Sequence, residues 1–563
     1  MSTLDAVRGA SFAPGSNLRG GGDGASWCFL LPSLELGRVV CLGPPSEAAL
    51  TTLARLGAEV VVYAPRRQLE GLRCAAEGLP GVSLLERSPS EPVPLPDESV
   101  DLIFLATRAS GRVNREIERL LRPEGALYAE YRAFTARRRY AGLDLGRLGP
   151  AQLLWLAPAA GEVRVAAPLE DGRTIAYLES RFLAGRLLGR RLLRHPLRVL
   201  GREPVVNRLA RRRGVLVRRT GSASALGPPR YLQAIAARAR VDLAGRGWGL
   251  AAQGVYSSQK LLLFFFEAAG EAPVHVVKIT REPRHNPRLE NEWRALNRLR
   301  EHGIGSDGTL PEPLFLDSHG TLAVLGETAI DGVPFLGLTT ATAKCPYARA
   351  AIDWLLELGI RTAHRAPDGM PRAAGVLGAL VDRFDEVYRV ERDHKTFLAV
   401  QAGALLETRM DLPLVFQHGD PGPWNVLVTA DGRPAFLDWE AAEPAGMPLW
   451  DLFHFVRSFG LVVSRAAGRH DPLGSFSDQI LADSELSRLL AATTSRFCAQ
   501  TGLAPSLVEP LFYLSWMHRA LKEAARLPED KLEQGRYVNL LRLAIERRDS
   551  PGLQRLFTLP ALC

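Results

Sequence analysis

Three side chains within one short stretch have the types and the spacing that phosphoryl transfer requires. The stretch is VFQHGDPGPWNVLVTADGRPAFLDWEAAEPAGMPLWDLFHF, residues 415–455. Asp420 follows His418 and Gly419, Asn425 stands five residues further on, and Asp438 closes the next apolar segment. A nucleoside triphosphate is handled with Mg²⁺, a hard ion that takes carboxylate and amide oxygens and keeps several waters. The hydroxyl that receives the phosphoryl group needs a carboxylate to orient it and take its proton. One carboxylate plus an Asn/Asp pair meets both needs when the three stand at a common edge. The elements that would place them there are legible: an apolar strand enters His418, and the segments NVLV and PAFL flank the turn ADGRP. The hairpin so formed carries Asn425 and Asp438 to one end, with Asp420 on the loop entering it.

This arrangement resembles the catalytic core of the aminoglycoside phosphotransferase and choline kinase family, small-molecule kinases with the protein-kinase-like fold. The residues that carry the resemblance are HGD, the Asn five residues later, the strand into DWE, and a G-x-P-x-x-D-L tail from Gly446 to Leu452. The resemblance implies that Asp420 is the catalytic base and that Asn425 and Asp438 bind Mg²⁺. It implies that His418 shapes the catalytic loop and that Asp451 holds that loop from the following helix. It also implies a lysine in an apolar strand upstream, oriented by a glutamate on the next helix. Lys278 in VHVVKIT fits that lysine, with Glu292 as the preferred partner and Glu290 as the alternative.

The phosphate-covering turn is placed at Gly254-Val255-Tyr256-Ser257-Ser258, before the LLLFFF strand, with Gly254, Ser257 and Ser258 offering backbone N–H and hydroxyl groups. The G-x-G-x-G string at Gly245, Gly247 and Gly249 is the alternative. Order along the chain puts Gly326-Glu327-Thr328 at the adenine-binding hinge, and Trp424 reads as a packing residue beneath the loop. The expected activity is ATP- and Mg²⁺-dependent transfer of the γ-phosphoryl group to a hydroxyl of a small molecule or glycan. Two other readings stay open: an enzyme that both methylates and phosphorylates one substrate, and a non-catalytic nucleotide-binding scaffold.

Around these residues the sequence divides into several parts. Residues 1–34 are rich in Gly and Ser and read as a flexible leader. From 35 to 178 strands and helices alternate, which predicts a doubly wound, Rossmann-like parallel sheet. PLPDESVDLIFLAT (94–107) and EIERLLRPEGALYAEY (116–131) resemble the fourth and fifth strands of class I S-adenosylmethionine-dependent methyltransferases. The cofactor-binding part departs from that pattern: CLGPPSEAA (41–49) keeps Gly43 alone, and the second strand ends in Tyr63-Ala64-Pro65 with no acid. S-adenosylmethionine is therefore not expected as a cofactor. Residues 179–230 are an Arg-rich linker, 231–335 a kinase-like strand lobe and 336–563 a kinase-like helical lobe. The overall class is α/β plus α+β.

At 563 residues the chain is long enough for two to four folding units, and its mean hydropathy is near zero. No apolar run is long enough for a membrane span, and the N-terminus shows no secretory pattern. The net charge of +9 invites a nucleic-acid partner, yet only 6 of the 70 basic residues are lysines, and the arginines are spread along the chain. No specific nucleic acid is expected. Residues 179–220 hold thirteen arginines against two acids, so a peripheral contact with anionic membrane is weighed against the linker reading. Six scattered cysteines fit a reducing, cytoplasmic setting rather than a disulfide or zinc framework.

Overall fold

The structure, a computed structural model, describes residues 26–87, 91–131, 142–159, 162–183, 212–218, 227–252, 260–338, 342–365, 372–407 and 412–558. They fall into two compact units. One takes the described residues up to Asn286 together with Leu314–Ala329; the other takes Pro287–Pro313 and everything from Ile330 onward.

The first unit is built on one sheet of thirteen strands. Its central strand, Leu36–Leu42, pairs in parallel with Gly57–Ala64 on one side and Val100–Leu105 on the other. Val82–Glu86 extends the first side and Leu121–Tyr131 the second, again in parallel. Reading outward from the third strand gives the order 3-2-1-4-5, the doubly wound arrangement expected from the alternation. Alternate residues serve opposite faces: Val39 and Cys41 join one apolar cluster, Val40 and Leu42 another. Ser46 and Ser110 cap the crossover helices Glu47–Leu56 and Gly111–Leu120, each accepting a backbone N–H of the first turn.

Beyond Leu121–Tyr131 the sheet turns antiparallel. Arg212–Arg218 pairs with that strand, Ala151–Ala159 with Arg212–Arg218, and Glu162–Pro168 with Ala151–Ala159. Gly247–Ala251 then joins Glu162–Pro168 through Val165 opposite Ala251 and Ala166 opposite Leu250. Lys260–Phe266, Pro273–Thr280, Leu322–Thr328 and Pro313–His319 complete the order. The strands read from sequence as the first kinase lobe thus continue the same sheet as the strands read as methyltransferase-like.

Two segments differ from their sequence reading. Ser26–Leu30, placed in a loose leader, forms a buried 3₁₀ turn. Its run SWCFLL is apolar, Trp27 stacks on Tyr128 at 4.2 Å and on Phe104 at 5.0 Å, and Leu30 and Leu31 are buried. Arg212–Arg218, counted within an Arg-rich linker, is an internal strand. Arginine content hid the run Gly214-Val215-Leu216-Val217, whose three apolar side chains are buried. Residues 184–211, which carry most of the membrane reading, lie outside the described residues. No helix of the described residues is long and apolar enough to cross a membrane.

The second unit is mainly helical. Asn286–Glu301, Pro346–Thr362, Trp450–Ala466, Glu485–Thr501 and Val508–Ala524 surround one large apolar core that includes Leu296, Phe453, Phe512 and Trp516. Two small sheets lie against it. Val415–Gln417 pairs with Glu443–Gly446, and Val426–Val428 forms a hairpin with Pro434–Phe436.

Candidate active site

The loop after Val415–Gln417 is fixed from three directions. Gly419 has φ +79°, and a Cβ there would stand 2.0 Å from the carbonyl oxygen of Ala441, so only glycine fits. Asp451, in the first turn of Trp450–Ala466, accepts the backbone N–H of His418 at 2.6 Å and of Gly419 at 3.2 Å. Burial pushes the Asp451 carboxyl up, against the pull of His418, Arg519 and those two N–H donors. The His418 ring is fully buried against Trp439, 4.4 Å between ring centres. Its Nε2 lies 2.9 Å from the Leu437 carbonyl oxygen, and its Nδ1 lies 3.3 Å from the Asp420 backbone nitrogen. A ring that donates from Nε2 and accepts at Nδ1 satisfies both contacts. One imidazole thus ties the loop to the strand end just before Asp438.

The Asp420 carboxylate faces two groups. Its Oδ1 is 3.3 Å from His454 Nε2 and 3.5 Å from Arg519 Nη1. Burial opposes ionisation there, but His454 and the Arg519 guanidinium outweigh it and hold the carboxyl well below the usual range. His454 is itself pushed down to about 3 by burial and by Arg519, so it is a neutral neighbour at pH 7. Among the described residues the formal positive charge in contact with Asp420 is therefore the Arg519 guanidinium.

Asn425 ends a short turn, Pro423–Asn425, and donates its Nδ2 to the Asp420 carbonyl oxygen at 2.9 Å. That bond sets the amide and leaves its Oδ1 as an acceptor. Asp438 follows the other strand of the hairpin and has φ +69°, a left-handed conformation that aspartate tolerates better than most residues. The next residue shows what Glu292 does. The Trp439 backbone N–H donates to Glu292 Oε1 at 2.9 Å, and Glu292 is fully buried whereas Glu290 is exposed. Asn291 adds bonds from its Nδ2 to the carbonyls of Glu440 (3.1 Å) and Ala442 (2.9 Å). Helix Asn286–Glu301 thereby clamps the segment that carries Asp438.

The remaining sequence-predicted residues lie in the sheet unit. Lys278 is buried on Pro273–Thr280, and its Nζ is 2.7 Å from Glu327 Oε1. Val276 is opposite Glu327 and Lys278 opposite Leu325, so the two charged side chains share a face on a diagonal. The Glu327 carboxylate, assigned to the hinge by chain order, is turned onto Lys278. Gly254, Ser257 and Ser258 lie outside the described residues. The alternative glycine string has a packing explanation. Gly249 is within the sheet, and a Cβ on it would come within 2.7 Å of both Leu178 and Thr174 on the covering helix.

Sequence reasoning missed His454, Arg457, Arg519, Lys522 and Arg526. The available signal was the run His518-Arg519…Lys522 inside the mainly apolar helix Val508–Ala524, which puts Lys522 among its buried residues.

Residues 264–485 match the family described as the phosphotransferase enzyme family. The C-terminal part of the chain resembles that family. The matched segment contains Lys278, Glu292 and the whole Asp420–Asp451 constellation. Solved structures detected as similar include an aminoglycoside phosphotransferase from Streptomyces rimosus, at 17% identity over 52% of this chain and 97% of that one, with a TM-score of 0.32. A choline/ethanolamine kinase family protein from Mesorhizobium loti shows 19% identity over 53% and 88%, TM-score 0.30. For the N-terminal part, a candidate methyltransferase from Pseudomonas syringae shows 20% identity over 18% and 68%, TM-score 0.16. No curated protein matches the chain in sequence.

The fit of the groups these families imply can be tested on the residues present. For Mg²⁺ the phosphotransferase-like part offers Asn425 Oδ1 and the Asp438 carboxylate, both hard oxygen donors. Among the described residues no three or more His, Cys, Asp or Glu side chains converge. A Mg²⁺–nucleotide site does not need them, since phosphates and water complete the coordination. In the methyltransferase-like part, ligands of doubly wound sheets bind where the strand order reverses, here after Leu36–Leu42 and Val100–Leu105. Gly43 (φ +92°) packs so closely that a Cβ would stand 3.1 Å from the Ala106 carbonyl carbon. Pro44 and Pro45 provide no N–H groups. Where a ribose-binding acid would be required, the second strand ends in Tyr63-Ala64, with Arg87 5.9 Å from the Tyr63 ring centre. These residues do not fit S-adenosylmethionine.

Proposed function

We propose that the chain is an ATP- and Mg²⁺-dependent phosphotransferase that moves the γ-phosphoryl group to a hydroxyl of a small molecule or glycan. The observation that carries this reading is the Asp420 carboxylate, 3.3 Å from His454 Nε2 and 3.5 Å from Arg519 Nη1, on a loop whose carbonyl fixes Asn425. Asp420 orients the acceptor hydroxyl and takes its proton. Its carboxyl lies well below neutrality, so it is a weak base, suited to accept the proton late, as the new P–O bond forms. Asn425 Oδ1 and Asp438 would hold Mg²⁺, which when bound offsets the charge of the phosphates. Lys278 would bind phosphate oxygens, with Glu327 fixing its ammonium. Glu292 acts as a positioning residue through the Trp439 N–H.

The methyltransferase-like strands take no S-adenosylmethionine in this reading. Calorimetry of the chain with the cofactor at millimolar concentration should show no heat of binding. The central test is Asp420→Asn. Phosphate transfer should fall by roughly 10³-fold or more while the nucleotide dissociation constant changes little. Equal turnover in the variant would remove Asp420 from the mechanism.

A further inference from the structure

We infer that the acceptor carries a negatively charged group, a carboxylate or a phosphate, which rests against the guanidinium groups of Arg457, Arg519 and Arg526. This names the substrate class of the phosphotransferase reading and rests on it. The reacting hydroxyl must come within hydrogen-bond reach of the Asp420 carboxylate. The rest of the acceptor then lies near the groups around Asp420: His454 and Arg519 in contact with it, Arg526 and Lys522 acting on it through charge, and Arg457 next to Arg519.

Those groups come from two helices. Trp450–Ala466 supplies His454 and, three residues on, Arg457 on the same face. Val508–Ala524 supplies Arg519 and Lys522, with Arg526 just past its end. Arg457 is only 3% exposed, and its guanidinium lies 5.2 Å from the centre of the Tyr537 ring. The Tyr537 ring is in turn 6.2 Å from that of His454. Nη2 of Arg457 and Nη2 of Arg526 are both buried without a hydrogen-bond partner among the described residues. Burial pushes each guanidinium down to about 10, and Asp420 works against that shift at Arg526. Both remain charged at neutral pH.

Three of the acids nearby are otherwise engaged, and a fourth, Glu443, acts on Lys522 from beyond ion-pair distance. Asp451 holds the loop backbone. Glu523 accepts the Tyr537 N–H at 2.9 Å and stands 3.9 Å from Arg536. Glu440 is 3.6 Å from Arg288. Among the described residues neither Arg457, Arg526 nor Lys522 has a carboxylate within ion-pair distance. Burying cationic groups without carboxylate partners is costly, the Tyr537 ring offsetting only part of that cost at Arg457, and a purely structural site would be served better by apolar side chains. A guanidinium fork matches the paired oxygens of a carboxylate or phosphate, and the same charges repel an ammonium. Because His454 and His518 are held neutral by burial, the positive charge is permanent rather than pH-gated.

The test uses the purified full chain with ATP and Mg²⁺ and one matched acceptor set: glucose, glucuronate, glucose 1-phosphate and glucosamine, with streptomycin as a second cationic acceptor. The same sugars are titrated calorimetrically with and without a non-hydrolysable ATP analogue, so that a probe that is bound but not phosphorylated still reports. At least one anionic sugar should exceed glucose by about 100-fold in kcat/KM or in affinity, and which one does separates carboxylate from phosphate. Arg457→Gln and Arg526→Gln should cut that ratio at least tenfold, and Arg526→Lys should restore most of it, which separates lost charge from lost folding. Glucose or a cationic acceptor serving as well as the anions, or a ratio untouched by both Gln variants, overturns the inference. Transfer to a cationic acceptor would do so while leaving the phosphotransferase reading intact. Anion binding that depends on Arg526, in a chain that binds no Mg²⁺–ATP, would sink that reading and leave the anion site standing.

Discussion

His454 is an imidazole that its surroundings forbid to protonate, and this gives the site a signature in stability. Its pKa falls from 6.5 in the open chain to about 3 when folded, chiefly through burial. Between those values the unfolded chain binds the extra proton, so the stabilisation is complete above about pH 6.5 and is lost as the pH falls. The slope is about 1.4 kcal/mol per pH unit for this one group. His518, shifted in the same direction by desolvation, adds to it. Urea denaturation between about pH 4.5 and 7.5 should show stability falling towards the acid end, and His454→Gln should flatten the curve by one group's share. At this scale the sequence was partly legible. Asp420, Asn425 and Asp438 could be picked out because their types and spacing are set by short local turns. His454, Arg457 and Arg519 could not, because helical periodicity marks a position as buried without saying which buried groups meet.

Two local elements hold the loop, and each supports a prediction. Gly419→Ala would force a side chain into a left-handed position and against the Ala441 carbonyl. It should cost roughly 2 kcal/mol or more and lower turnover further than stability alone explains, as measured by denaturation and by transfer rate. Asp451→Ala would strip two backbone N–H groups of their acceptor. A loss of about 2–3 kcal/mol is expected, with a larger effect on kcat than on KM for ATP. Helix Asn286–Glu301 is the element whose role the sequence conveyed least. Its apolar spacing predicts a helix that packs and favours Glu292 over Glu290, and Glu292 is the buried one of the two. What the pattern does not reveal is that the carboxylate serves the backbone beside Asp438.

The strand-rich unit is continuous across segments that look like separate domains in the sequence. Strand type was legible there, because apolar alternation and flanking glycines are local signals. The pairing of Glu162–Pro168 with Gly247–Ala251 was not, since a short apolar run does not declare its neighbour. Continuity has a measurable outcome. Leu154 sits in a methyltransferase-like strand and Leu263 in a kinase-like strand, yet both belong to one buried cluster. Leu154→Ala and Leu263→Ala should each cost roughly 2–5 kcal/mol and displace the same calorimetric transition. Two independently shifting transitions would show that the sheet does not melt as one body.

The continuous sheet also imposes an order in time. Glu162–Pro168 leaves the ribosome with one side unpaired, and the strand that covers that side, Gly247–Ala251, is encoded about eighty residues later. At roughly 5–20 residues per second the open edge persists for about 4–16 s of synthesis. An exposed edge of this kind is a template for pairing with other chains. A translational pause between the two strands should therefore raise the aggregated fraction of newly made protein more than a pause placed after Thr328, where every strand of the sheet has already been made.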